Sequence, residues 1–194
     1  KIILYSVDFA EIEHLQRRGE WDAAGEVLAA AAQALQGAGA DFIVLGTNTM
    51  HKVAAAIEAA VDIPLLHIVD PTARAIRAAG FTRVGLLGTR FTMDQPFFRE
   101  RLQALHGIEV LVPDADDGAR VDRVIFEELC LGRINDASRQ FYREVMQRLV
   151  ERGAQGIILG CTEIALLVDA GDASVPLFDT AGLHADAAVA AALS

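Results

Sequence analysis

One short unit occurs twice in this 194-residue chain. Gly39-Ala40-Asp41-Phe42-Ile43-Val44-Leu45 runs into Gly46-Thr47-Asn48-Thr49-Met50-His51, and Gly153-Ala154-Gln155-Gly156-Ile157-Ile158-Leu159 runs into Gly160-Cys161-Thr162-Glu163. The register is the same, with Gly39 matching Gly153, Leu45 matching Leu159 and Thr47 matching Cys161. Each copy then reaches an apolar run with a proline, Ile63-Pro64-Leu65-Leu66 and Val175-Pro176-Leu177-Phe178. A glycine, a short apolar run and a polar turn read as strand, turn and helix start. In open α/β sheets chemistry gathers at the carboxyl ends of strands. Two such units therefore place Thr47 and Cys161 on opposite sides of one cleft, with side chains expected roughly 7–10 Å apart so that a small α-carbon fits between them.

The rest of the chain repeats the alternation. Strands are expected over 2–7, 42–45, 64–68, 83–87, 109–112, 156–159 and 175–178. Helices are expected over 20–36, 49–60, 71–79, 93–105, 121–131, 137–152, 162–168 and 181–193, with Asn48 and Asp70 as N-caps. Residues 113–118 read as a polar surface loop. Alternating strands and helices imply mostly parallel sheets flanked by helices. The pattern restarts near Gly80, which divides the chain into two similar lobes: 1–80 with 180–194, and 81–179.

Charge and composition exclude several classes of function. A formal net charge of −10 argues against nucleic acid and anionic membranes as partners. The chain is 53 % hydrophobic, yet its apolar runs are too short for a membrane span. The two cysteines, Cys130 and Cys161, do not make a disulfide scaffold, and a reducing cytoplasm is the expected compartment. The five histidines show no metal-ligand spacing, so no metal is expected.

Cys161 is the strongest candidate for chemistry. At a strand-to-helix turn its thiol meets free backbone N–H groups and a helix dipole, both of which favour thiolate. It is expected to be the reactive thiol, and Cys130, in an apolar helical stripe with Phe126 and Leu129, the inert one. Thr47 is a weak base but can donate or relay a proton. Asn48, Thr49 and Thr162 suit the binding of a carboxylate, or alternatively plain turn and cap chemistry. Glu163 either caps the helix or orients the site. Thr89 and Thr92, after the strand 83–87, can reach the same cleft. Arg90 reads as a solvated charge at a helix entry. His51 and His184 have both a site reading and a structural one.

These motifs, together with Val7-Asp8-Phe9 and Phe178-Asp179-Thr180, resemble the cofactor-independent aspartate/glutamate racemases over nearly the whole chain. The resemblance implies two lobes enclosing an acidic or small polar amino acid, with groups on either face of the α-carbon exchanging its proton. Cys161 matches the second thiol of that family, and Thr47 stands where most members have the first. The pair resembles the subgroup that prefers L-aspartate or L-glutamate, with Cys161 facing the L-side proton. Family members usually open with a further strand and a glycine-rich turn. No such unit is present here, so the first lobe is expected to lack its first βα unit. The family also often carries a basic residue at the position of Leu131, for which Arg133 is a substitute. A homodimer is expected from the same resemblance.

Two other readings remain open at this point. A single thiol can protonate an enolate, as in an arylmalonate-type decarboxylase or a maleate-type isomerase. The chain can also be a catalytically degenerate protein that binds a small acid.

Overall fold

The structure, a computed structural model, describes every residue from Lys1 to Ser194. It is a mixed α/β fold with parallel sheets flanked by helices. Two compact units are distinguished: Lys1–Leu45 with Met50–His67, and Gly46–Thr49 with Ile68–Ser194.

The first unit holds α1 (Phe9–Arg18), α2 (Trp21–Gly37), β1 (Ile43–Val44), α3 (Ala54–Ala60) and β2 (Leu65–Leu66). Helix α1 was not expected from the sequence. Its start is set by Asp8, whose carboxylate accepts from the Ala10 N–H at 2.9 Å, and its end by Gly19 at φ 72°. Strand β1 pairs in parallel with β2, and Ile43 packs with Ile12, Leu28, Met50 and Ile57 in a small core. The segment 2–7, expected as a strand, forms no ladder, and Ile2 and Leu4 are 95 % and 84 % exposed. Apolar content marks a tendency to bury, but a strand also needs a neighbour to take its hydrogen bonds.

The second unit begins with the turn 46–49 and continues through α4 (Val69–Ala78), β3 (Arg83–Gly88), α5 (Arg90–Asp94), α6 (Pro96–His106), β4 (Glu109–Leu111), α7 (Ala115–Glu127), α8 (Asp136–Glu151), β5 (Ile157–Gly160), α9 (Ile164–Leu167), β6 (Leu177–Asp179) and α10 (Thr180–Ala192). Its four strands are all parallel in the order β4-β3-β5-β6. Strands β3 and β5 are buried along nearly their whole length, as expected of parallel strands covered on both faces. Phe98, Leu102, Tyr142 and Leu149 fill the core around them.

The compact units differ from the lobes expected at 80 and 180. Helix α4 packs against α6, β6 and α10, so the division falls after His67, and α10 joins the second unit. Helix α4 buries Val69, Ala73 and Ile76 in the core of this unit. Asp70 is not a cap. It lies in the first turn of α4 and accepts two bonds from Arg101 of α6, both at 2.8 Å. Helix α7 starts inside the expected loop, because the Asp114 carboxylate caps it through the Asp117 N–H at 2.9 Å. No helix is long and apolar enough to cross a membrane.

The repeated unit is visible in backbone bonds. Gly39 and Gly153 both adopt the left-handed conformation, at φ 89° and 97°. Ile43 N–H donates to the Pro64 carbonyl, and Ile157 N–H to the Pro176 carbonyl, each at 2.9 Å. The two copies thus leave their helix and enter their sheet in the same register.

Candidate active site

The carboxyl ends of three strands lie side by side in the second unit. Gly88 of β3 pairs with Gly160 of β5, and Leu159 of β5 with Asp179 of β6. The next residues along each strand direction are Thr89, Cys161 and Thr180. Glycine is required where β3 meets β5. A Cβ on Gly160 would lie 2.9 Å from the Leu87 carbonyl oxygen and 2.7 Å from Leu86 Cδ1.

The turn that carries Thr47 belongs to this same unit. Asn48 is 4 % exposed, and its Nδ2 donates to Thr180 Oγ1 at 3.0 Å. It therefore does not cap a helix as the sequence suggested. Residues Thr49–Val53 form a 3-10 turn, and α3 begins only at Ala54. The Asn48 Oδ1 atom is buried without a hydrogen-bond partner.

Thr49, Thr89 and Thr92, three of the residues singled out from the sequence, are brought together. Their hydroxyls form a triangle with edges of 3.3, 3.2 and 3.3 Å. Thr92 is fully buried, whereas Thr49 and Thr89 retain slight exposure.

Cys161 is half-buried, and its thiol donates to Glu163 Oε2 at 3.0 Å. Thr162 donates to the same oxygen at 2.7 Å. Glu163 thus orients its neighbours, and makes no side-chain capping bond to α9. The expectation of a stabilised thiolate does not hold. Burial, then the Glu163 charge, push the Cys161 thiol well above its ordinary range. Helix α9 has only four residues and starts three positions later, too short and too far to offset those effects.

Cys130 is also placed differently from expectation. It is exposed, in the 3-10 turn Leu129–Leu131 that follows α7, because the α-helix stops at Glu127. Burial of part of its side chain, then the charge of Glu163, raise its thiol. Tyr142, not singled out from the sequence, donates from its buried hydroxyl to the Val121 carbonyl at 3.0 Å. It is pushed far up, chiefly by burial and then by negative charge on its neighbours, Asp122 and Glu128 among them. In sequence Tyr142 is one more member of the apolar stripe of α8. Thr180 was also missed as a site residue, although it ends one of the motifs that carry the family resemblance.

Arg90 is the expected solvated charge, paired with Asp94 at 3.3 Å on the surface. His51 and His67 are buried in the first unit with ring centroids 4.5 Å apart, and His184 is buried in α10. The His, Cys, Asp and Glu side chains form no group of three or more suited to a metal ion.

The model of the Asp/Glu/Hydantoin racemase family matches residues 1–188. A crystal structure from Yersinia pestis, assigned as an Asp/Glu racemase, is 58 % identical with a TM-score of 0.94, and the match covers 100 % of this chain and 84 % of that one. An aspartate racemase homologue from Pyrococcus horikoshii is 35 % identical with a TM-score of 0.86, covering 99 % and 83 %. The broad specificity amino-acid racemase RacX of Bacillus subtilis is 27 % identical over 162 residues, 82 % of this chain and 68 % of RacX.

Proposed function

The chain belongs to the Asp/Glu/Hydantoin racemase family, and on that premise we propose that it exchanges the α-proton of an acidic or small polar amino acid without pyridoxal phosphate or metal. The observation that carries this reading is the Cys161 thiol bonded to the Glu163 carboxylate at 3.0 Å, at a strand end shared with Thr89 and Thr180. A thiol paired with a carboxylate can pass its proton to that carboxylate and become the base.

In the proposed reaction the thiolate of Cys161 takes the α-proton of the L-isomer. The C–H bond breaks, its electron pair stays on carbon and spreads into the substrate carboxylate, and an S–H bond forms. A proton then returns on the other face from Thr47 or from a water that Thr47 holds, an O–H bond breaking as the new C–H bond forms, and the proton left on Glu163 returns through solvent to that oxygen. Thr49, Thr89 and Thr162 would bind the substrate carboxylate through their hydroxyls, with Thr92 supporting the first two. Asn48 would accept from the substrate ammonium through Oδ1. Thr47 is a far weaker base than a thiolate, so abstraction from the D-isomer is the slower direction. Equilibrium is unaffected, and the asymmetry appears only in rates and saturation.

Aspartate and glutamate are the first substrates to test, in keeping with the family and with the resemblance to the Thr/Cys subgroup. The experiment is proton NMR of each enantiomer in deuterated water with the protein. Loss of the α-proton signal, faster for the L-isomers, is expected. No wash-out from any of the four, nor from small polar amino acids such as serine and homoserine, would overturn the reading.

A further inference from the structure

Thr180 is fully buried at the start of α10, directly after the β6 residue that pairs with Leu159. Its hydroxyl has one proton, and it donates that proton to the Leu159 carbonyl at 2.8 Å. The oxygen can then only accept, and it accepts from Asn48 Nδ2 at 3.0 Å. This chain of bonds determines the orientation of an amide whose two ends are alike in shape. The reverse orientation would set Asn48 Oδ1 against Thr180 Oγ1. Two acceptors would then face each other, unless Thr180 abandoned Leu159 and left that carbonyl short of a donor.

With Nδ2 committed to Thr180, the other end of the amide must be Oδ1. That atom is buried and has no partner in the protein. A buried amide oxygen needs a donor, and a positively charged one makes the stronger bond. Asn48 is the residue after Thr47 and precedes Thr49, whose hydroxyl meets Thr89 at 3.3 Å.

We infer that Thr180 is a positioning residue that holds Asn48 with its amide oxygen, not its nitrogen, presented to the ammonium group of the substrate. The inference rests on the amino-acid reading of the site and adds what selects the amino group. An ionised dicarboxylate such as succinate has no donor and leaves Oδ1 unsatisfied. An amine satisfies it. Loss of the Thr180 hydroxyl frees the amide to rotate, and an amide N–H then opposes the ammonium as donor against donor.

The test compares L-aspartate with succinate, which has both carboxylates and lacks the amino group. Binding is measured by calorimetry for the full chain as wild type, Thr180→Ser and Thr180→Val. Wild type and Thr180→Ser are expected to prefer L-aspartate by about tenfold, the range of one charge-assisted bond. Thr180→Val is expected to bring that ratio close to one while succinate affinity changes little, and to raise KM for L-aspartate more than it lowers kcat. Val keeps the shape and puts a methyl in place of the hydroxyl, so retained succinate binding shows that the site is intact.

A Thr180→Val protein that keeps the full preference overturns the inference and leaves the racemase reading standing. A wild type that shows α-proton exchange but no preference for aspartate over succinate does the same. A wild type that binds neither compound and exchanges no α-proton removes both. If Thr180→Val does not fold, the wild type alone decides. One Asn48 Nδ2 proton should be protected from solvent exchange by NMR, with and without L-aspartate, and exchange of both at the rate of a free amide would refute the arrangement.

Discussion

The Cys161 thiol donates to the carboxylate of Glu163, two residues along the chain, at 3.0 Å. Thr162 donates to the same oxygen, so Glu163 Oε2 receives two protons' worth of bonding at one strand end. The arrangement stores the thiol in its neutral form beside a group able to accept its proton.

Replacement of Cys161 by Ala is expected to lower α-proton exchange by at least about 10³-fold, the usual range for loss of a positioned base. Glu163→Gln keeps a polar neighbour and removes the acceptor of the thiol proton, so it should lower exchange by about 10²-fold. Thr47→Cys should bring D-isomer turnover up toward the L-isomer rate. The four proteins are compared by wash-out of the α-proton in deuterated water.

Alkylation should report the difference between the two thiols. Cys130 is exposed, whereas Cys161 is half-buried, hydrogen-bonded and held neutral. Iodoacetamide at neutral pH is therefore expected to label Cys130 first, reversing the order that the sequence suggested. Glu163→Gln removes the charge that opposes thiolate at Cys161 and should speed labelling there. Peptide mapping against time distinguishes the two sites.

Stability should fall in alkali, and the sign follows from proton counting. The folded state holds Cys161 protonated above the ordinary thiol value of 9.0, while the unfolded chain releases that proton near 9.0. Above pH 9 the native state binds more protons than the unfolded state, so unfolding becomes progressively easier. Tyr142 adds the same trend above its ordinary value of 10.0. Between pH 9 and 10 the denaturation midpoint is expected to fall less steeply in Cys161→Ala than in wild type. Equal slopes would show that the Cys161 thiol ionises freely in the folded protein.

Gly160→Ala tests the close approach of β3 and β5. The added methyl would meet the Leu87 carbonyl oxygen at 2.9 Å, a backbone atom that cannot move aside alone. Destabilisation of about 1–3 kcal/mol is expected, the range for overpacking a tight core. Because Cys161 is the next residue, exchange activity should drop beyond what the loss of folded protein explains. Urea denaturation and activity per folded molecule measure the two effects.

The repeated strand-turn segment, present once in each unit, was legible in the sequence. The glycines at 39 and 153, the apolar runs at 43–45 and 157–159 and the prolines at 64 and 176 are local signals, and the identical bonds of Ile43 and Ile157 carry them into the structure. The same signals led to Thr47, Asn48, Thr49, Cys161, Thr162 and Glu163 as site candidates, and the end of the strand 83–87 led to Thr89 and Thr92. Local patterns were less informative where burial depends on a distant partner. Ile2–Val7 is apolar enough for a strand, yet it has no ladder to join. Cys130 follows a helical stripe, yet the helix ends three residues before it.

The sequence by itself determined the strand-turn units and the residue types at their ends, because backbone conformation there depends on glycine, proline and neighbouring side chains. Only the tertiary structure decided which polar groups meet. Asn48 and Thr180 are 132 positions apart, and Thr49 and Thr92 are 43 apart. A hydrogen bond requires a donor and an acceptor within about 3 Å, and no local rule brings such distant positions together. The charge state of Cys161 was decided in the same way. A helix start argued for thiolate, but burial and the Glu163 carboxylate outweigh a four-residue helix. Desolvation depends on the packing around the whole sheet end.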